Sequence, residues 1–133
     1  MVVNILAIRQ GNWSFVKNDI ESVTLATHSK GKTINIIFEM DLLSDEEIEK
    51  LCNICIDLKV DAVKTSTGIN GKTTAVEQVS QLRTKLPESI KINASGEIKK
   101  IDKIKRLLEA GADRIGTSFG VILAKSATSE SQG

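Results

Sequence analysis

Apolar residues along the chain follow two alternating rhythms. Val2 to Ile8, Thr33 to Glu39, Val60 to Thr65 and Ile90 to Ser95 are short runs rich in β-branched residues, with the length and composition of strands. Between them the apolar positions recur every three or four residues, which places them on one face of a helix. Val16, Ile20, Val23 and Thr27 form such a stripe from Ser14 to about His28, after the turn pair Gly11-Asn12 and before a stop at Gly31. Ile48, Leu51, Cys52 and Cys55 form the next, opened by the Ser-x-x-Glu capping box of Ser44 and Glu47. Thr74 with Glu77 predicts a second capping box, ahead of Val79, Leu82 and Leu86, and Pro87 ends that helix. Ile101, Ile104, Leu107 and Leu108 form a further stripe closed by Gly111 as a C-terminal cap. Arg114 to Gly116 reads as a very short last strand, and Ser118 to Ala124 as a last helix.

Strands alternating with helices of this length predict an α/β fold of about five consecutive βα units, because parallel neighbours need a crossover connection. Ligands then belong at the C-terminal strand ends. Periodicity leaves open whether the sheet is doubly wound or part of a barrel. The 133 residues suit one domain and fall short of the roughly 250 of a closed (β/α)8 barrel. Residues 1–125 are expected to form that domain. The small polar residues 126–133, after a glycine-bearing loop earlier at Gly68 to Lys72, are expected to fray as a flexible C-terminal tail.

Eighteen basic and seventeen acidic residues leave a formal charge of +1, so no global field argues for nucleic acid or an anionic membrane as partner. No apolar run approaches the roughly 18 residues needed to span a bilayer, and no secretory pattern opens the chain, so a cytoplasmic address is the default expectation. Cys52 and Cys55 have C-x-x-C spacing, but they lie within the apolar stripe of a helix and not at its start. They are expected to pack as small hydrophobes, with no metal implied. His28, the sole histidine, is expected at a surface or helix end.

Val63-Lys64-Thr65-Ser66-Thr67-Gly68 places a lysine inside an apolar strand, before three hydroxyl residues and a glycine turn. Partial removal from water disfavours an ammonium and frees the amine to form a Schiff base with a carbonyl. The blander reading is a strand-edge lysine reaching solvent. Asn93-Ala94-Ser95-Gly96-Glu97 and Gly116-Thr117-Ser118-Phe119-Gly120 are two more strand ends whose glycines and hydroxyls suit an anion, or an ordinary strand-to-helix turn.

In this order, Asp61-Ala62-Val63-Lys64-Thr65-Ser66-Thr67-Gly68, the Asn93 segment and Ala110-Gly111-Ala112-Asp113-Arg114-Ile115-Gly116-Thr117-Ser118 resemble the deoxyribose-phosphate aldolase family, over Val2 to about Ala124. The resemblance implies the C-terminal part of a TIM (β/α)8 barrel. Lys64 would be the Schiff-base lysine, with Thr65, Gly68, Asn93, Gly96, Gly116 and Ser118 at positions touching substrate or its phosphate. The implied reaction is reversible cleavage of 2-deoxyribose 5-phosphate into acetaldehyde and glyceraldehyde 3-phosphate, without metal or organic cofactor. A small phosphorylated sugar or aldehyde is the implied ligand.

The chain departs from the family pattern at several places. Asn93 stands where the family has a second lysine, with Lys91 on the same strand face but about 7 Å lower at roughly 3.3 Å per residue. Asn35 replaces a further lysine, Glu97 a glycine of the phosphate loop and Phe119 a serine, and the family's proton-relay acid would precede Met1. The resemblance starts at the family's fourth barrel strand. A barrel lacking its first strands has open edges, which predicts a homo-oligomer or a partner chain that covers them. Two functions compete on these residues: a Schiff-base lyase, and a noncatalytic relative that binds a partner chain or a phosphorylated metabolite.

Overall fold

The structure, a computed structural model, describes residues 1–69 and 72–131. Asn70 and Gly71, in the loop expected over Gly68 to Lys72, lie outside the described residues, as do the last two residues of the expected tail. The elements run α1 (Ile5–Arg9), α2 (Trp13–Ser29), β1 (Asn35–Ile37), a 3-10 turn (Met40–Leu42), α3 (Asp45–Asp57), β2 (Ala62–Lys64), α4 (Val76–Lys85), β3 (Lys91–Ser95), α5 (Ile101–Glu109), β4 (Arg114–Gly116) and α6 (Gly120–Ser131). The strands form one parallel four-stranded sheet in sequential order, β1-β2-β3-β4. This is a partial barrel.

The expected first strand, Val2 to Ile8, is the largest departure. Only its start is extended: Val2 bridges Ile37 in parallel, and the Val3 amide donates to the Ile37 carbonyl at 3.1 Å. Asn4 then turns the chain, its Oδ1 accepting from the Ala7 amide at 2.9 Å, and Ile5 to Arg9 are helical. An asparagine N-cap satisfies a backbone donor that a strand would leave to the sheet, and here it overrides the β-branched composition.

Helix α2 buries Val16, Ile20 and Thr24, a strict four-residue spacing, and leaves Val23 at the surface. Thr24 tolerates burial because its hydroxyl donates to the Ile20 carbonyl at 2.7 Å. Helix α3 has the expected capping box, with Ser44 Oγ accepting from Glu47 N and Glu47 Oε1 from Ser44 N. The second expected box, Thr74 with Glu77, does not form. Helix α4 begins one residue later, Gln78 Oε1 accepts from the Ala75 amide at 3.0 Å, and Thr74 is drawn into a buried network described below. Helix α6 runs on to Ser131, through most of the expected tail, with Thr128 Oγ1 donating back to the Ala124 carbonyl at 3.0 Å.

The two faces of the sheet differ. Ile36, Val63, Ile92 and Ala94 alternate onto a face fully buried beneath the helices, with Leu51, Cys55, Val79, Leu82 and Leu107 opposite. Both cysteines are free and buried in that layer. Burial pushes their thiols up, Cys52 to about 12, which keeps them inert packing groups at neutral pH. The other face carries Asn35, Lys64, Lys91, Asn93 and Arg114, none of them buried. In register, Lys64 lies beside Ile37 on one side and Asn93 on the other, and Asn93 beside Arg114.

One device fixes the N-terminal ends of two strands. Asp61, just before β2, accepts from the Ile34 amide and from His28 Nε2, both at 2.8 Å. Asp113, just before β4, accepts from the Ile92 amide at 2.9 Å and from Arg83 at 3.4 Å. Each carboxylate thus ties a neighbouring strand to a helix end. His28 is at the expected helix end, but its carboxylate partner is distant in sequence.

Desolvation raises the pKa of Asp61, but the Ile34 amide and His28 outweigh it and hold the carboxyl below its ordinary value of 3.8. A lowered folded-state pKa contributes stability that is present above the unfolded value and is lost as pH falls toward the folded one. Asp61→Asn is therefore expected to lower the melting temperature at pH 7 by a few degrees. The gap to the native chain should close as pH falls below about 4. Thermal melts of both proteins from pH 7 to pH 3 check this, and a gap that widens with acid would contradict it.

Candidate functional site

The C-terminal ends of β2, β3 and β4 open into a cavity of about 570 Å³. Strand β2 contributes Lys64 and, from its following loop, Thr67, Gly68 and Ile69. The exits of β3 and β4 contribute Ser95, Gly96 and Glu97, and Gly116 to Phe119. Five of the residues expected at the site, Lys64, Gly68, Gly96, Gly116 and Ser118, therefore meet there.

Thr65 and Asn93 do not line this cavity. Residues alternate across a strand, so with Lys64 on the open face Thr65 must point to the helix side, where it is 1% exposed. There it joins a closed hydrogen-bonded ring. Thr74 Oγ1 donates to the Ser95 carbonyl, which commits its one proton, so Thr65 must donate across the 2.6 Å contact to Thr74 Oγ1. The Ser95 amide completes the ring by donating to Thr65 Oγ1 at 3.2 Å. Asn93 stays on the open face, beside Lys64 but outside the cavity, with its Oδ1 buried and without a hydrogen-bond partner among the described residues.

Lys64 is half-buried, and among the described residues no hydrogen bond or ion pair engages its amine. The loop beside it is held from two sides. Ser95 Oγ donates to the Ser66 carbonyl, and Glu39 accepts from the Thr67 amide and, at 3.0 Å, from the Thr67 hydroxyl. Glu39 sits at the exit of β1 in the left-handed region, at φ 54°, a conformation costly for a side chain that the Thr67 contacts help to hold. Sequence reasoning missed Glu39. Its signal was an acid ending the apolar run Ile36-Ile37-Phe38, at the strand end where parallel sheets place function.

At the rim, Glu97 pairs with Lys99 at 3.4 Å, and the Lys99 ammonium lies 5.1 Å from the centre of the Phe119 ring. Among the described residues, no group of three or more His, Cys, Asp or Glu side chains stands together to hold a metal ion. No helix among them is long and apolar enough to cross a membrane.

A half-buried amine at a parallel strand end, beside a hydroxyl-lined cavity, suits covalent chemistry on a small carbonyl compound. A deoxyribose-phosphate aldolase of Mannheimia succiniciproducens is 39% identical over all of this chain and 58% of its own length. One from Desulfitobacterium hafniense is 41% identical over 91% of this chain and 56% of its own, and one from Thermococcus gammatolerans 38% over 96% and 56%. The chain is a relative of the deoxyribose-phosphate aldolases. It spans a little over half the length of these curated relatives.

Among solved structures, an aldolase designated QR15 superposes with a TM-score of 0.88 at 34% identity, over 98% of this chain and 58% of its own. The deoxyribose phosphate aldolase of Aeropyrum pernix, described as tetrameric, gives 0.78 at 30% identity over 86% of this chain and 49% of its own. More distant likeness, at 17% identity and a TM-score of 0.57, reaches an N-acetylmannosamine-6-phosphate 2-epimerase from Clostridium perfringens and bears on fold alone. No family model matches the chain.

Gly96 is where the aldolase-like cavity leaves no room for change. Its φ is +138°, and an added Cβ would stand 2.8 Å from the Lys72 carbonyl oxygen and 3.2 Å from the Thr74 amide. Gly96→Ala is expected to cost at least about 2 kcal/mol of folding stability, from the disfavoured φ and the backbone collision together. Urea unfolding measures it, and a loss below about 0.5 kcal/mol would contradict the tight approach of the two loops.

Proposed function

We propose that this chain is a Schiff-base aldolase of the deoxyribose-phosphate aldolase type, with Lys64 as nucleophile. The observation that carries this reading is the Lys64 amine: half-buried, lining the cavity, and engaged by no other described side chain. The Nζ lone pair attacks the aldehyde carbon of an open-chain 2-deoxy sugar, and the carbinolamine loses water to give a protonated imine. That imine accepts the electron pair of the breaking carbon-carbon bond as the hydroxyl on the departing carbon gives up its proton. An aldehyde leaves, the enamine is protonated at carbon, and water releases acetaldehyde and restores the amine. The reaction needs no metal or organic cofactor. The reference substrate is the relatives' namesake, 2-deoxyribose 5-phosphate, and a cytoplasmic setting belongs to the same reading.

Proton transfer falls to solvent and to hydroxyls at the cavity. Thr65 is unsuited, because it is buried outside the cavity and its one proton is committed within the ring. Neutral Asn93, beside Lys64 in register, supplies no like charge to favour the free amine. Turnover slower than that of a site with paired lysines follows.

Borohydride trapping with acetaldehyde tests the nucleophile. Intact mass should show one reduced adduct on the native chain and none on Lys64→Ala, with the variant folded by circular dichroism. A folded native chain that forms no adduct, or an equal adduct on the variant, would overturn the mechanism.

A second reading, association through the open sheet, is favoured by a separate observation. Asn35 and Asn93 each hold a buried, unpartnered Oδ1 on that face, and Lys91 and Arg114 are exposed there. A covering chain would satisfy those acceptors and the free edge of β4. Light scattering at tens of micromolar is expected to give a dimer or larger assembly, and a single-chain mass at every concentration would contradict it.

A further inference from the structure

We infer that Thr67 and Glu39 form a two-hop proton relay, which takes the hydroxyl proton of the ligand as its carbon-carbon bond breaks. The inference deepens the Schiff-base reading of Lys64 and rests on it. That reaction must strip a proton from the hydroxyl on the departing carbon, and the direction of each hydrogen bond at the cavity decides which hydroxyl can pass one on. Ser95 donates to the Ser66 carbonyl, and Thr117 to the Ile98 carbonyl at 2.8 Å. A neutral amide oxygen accepts a hydrogen bond but is a poor base, so neither contact carries a proton away. Thr67 lines the cavity with Lys64 and donates instead to Glu39 Oε2 at 3.0 Å. Among the described residues it is the cavity-lining hydroxyl that donates to a carboxylate.

The valences of Thr67 suit this role. Its Oγ gives its one proton to Glu39 and accepts from the Ile69 amide at 3.3 Å, which leaves one lone pair for a ligand hydroxyl. Glu39 is 8% exposed and does not line the cavity, so it acts through Thr67, whose amide also donates to its Oε1. In the cleavage step the ligand's hydroxyl proton moves to Thr67 Oγ as the Thr67 proton moves to Glu39 Oε2. The electron pair of that O–H bond completes the carbonyl of the departing aldehyde. The pair of the breaking carbon-carbon bond neutralises the iminium as an enamine, and Glu39 is left as the neutral acid. The reverse hop delivers the proton to the enamine carbon, restoring the carboxylate and the iminium, which water then hydrolyses.

The test reads imine formation and cleavage separately. Borohydride trapping with acetaldehyde gives the first, and acetaldehyde release from 2-deoxyribose 5-phosphate gives the second. Glu39→Gln keeps both loop contacts, its carbonyl accepting from the Thr67 amide and its NH2 donating to Thr67 Oγ, but it takes up no proton. Cleavage is expected to fall at least about tenfold further than trapping. Thr67→Val should do the same, and Thr67→Ser, which keeps the hydroxyl, should recover most of that loss. The double variant Glu39→Gln with Thr67→Val should be no slower than the slower single one, because two members of one relay do not add. Equal losses in trapping and cleavage would reduce Glu39 to a prop for the loop and overturn the relay. Additive effects, or a native chain that is trapped but does not cleave, also overturn it and leave the imine standing. No adduct on a folded native chain overturns the relay and the Schiff-base reading together.

Discussion

The mouth of the sheet depends on the hydrogen-bonded ring of Thr65, Thr74 and Ser95. Both hydroxyls and the Ser95 backbone are inside the protein, and each donor in the ring has one acceptor that uses it. The ring fixes how β2 and β3 end. It sets Lys64, one residue before Thr65, on the open face, and it sets Gly96, one residue after Ser95, against the backbone of Lys72 to Thr74. Because no water reaches these groups, losing one partner would strand another at the full cost of desolvation, about 1–3 kcal/mol for each buried polar group. The position of the amine thus follows from hydroxyls buried outside the cavity.

The same sequence unit builds two of the strands from both ends. Asp61-Ala62-Val63-Lys64-Thr65 and Asp113-Arg114-Ile115-Gly116-Thr117 each begin with an aspartate that receives a neighbouring strand's amide, and end with a threonine bound to backbone or side chain beyond the strand. Ladder hydrogen bonds over three residues are few for a stable strand. Side-chain anchors at both ends supply the remainder. The fourth position, lysine in one unit and glycine in the other, lines the cavity in both. Lysine brings an amine to the shared frame, and glycine brings no side chain.

Much of this frame was legible in the sequence because it rests on local periodicity. The alternation of elements, the α3 capping box and the burial of Cys52 and Cys55 follow from spacing and residue type, whereas the grouping of Lys64, Gly68, Gly96, Gly116 and Ser118 was implied by the family resemblance. What was illegible is non-local or competitive. Thr74 with Glu77 has the spacing of a capping box, but a hydroxyl with a buried partner two elements away does not cap. Val2 to Ile8 has strand composition, but Asn4 gives the backbone a better local bond. Glu39 and the His28–Asp61 pair depend on residues about 30 positions apart being brought together, which no window along the chain contains.

The division between the sheet's two faces explains why a lysine can sit mid-sheet at all. On the helix side Val63 is fully buried, and an ammonium there would lose its hydration without compensation. On the opposite face no described helix packs over Lys64, and its strand neighbours are Ile37 and polar Asn93. The side chain is consequently half-covered, enough to define its direction and too little to force an ion pair. An amine already held by a carboxylate would have to break that contact before attacking a carbonyl. With Glu97 engaged by Lys99 at 3.4 Å, the Lys64 amine shares the cavity with a carboxylate that is already paired.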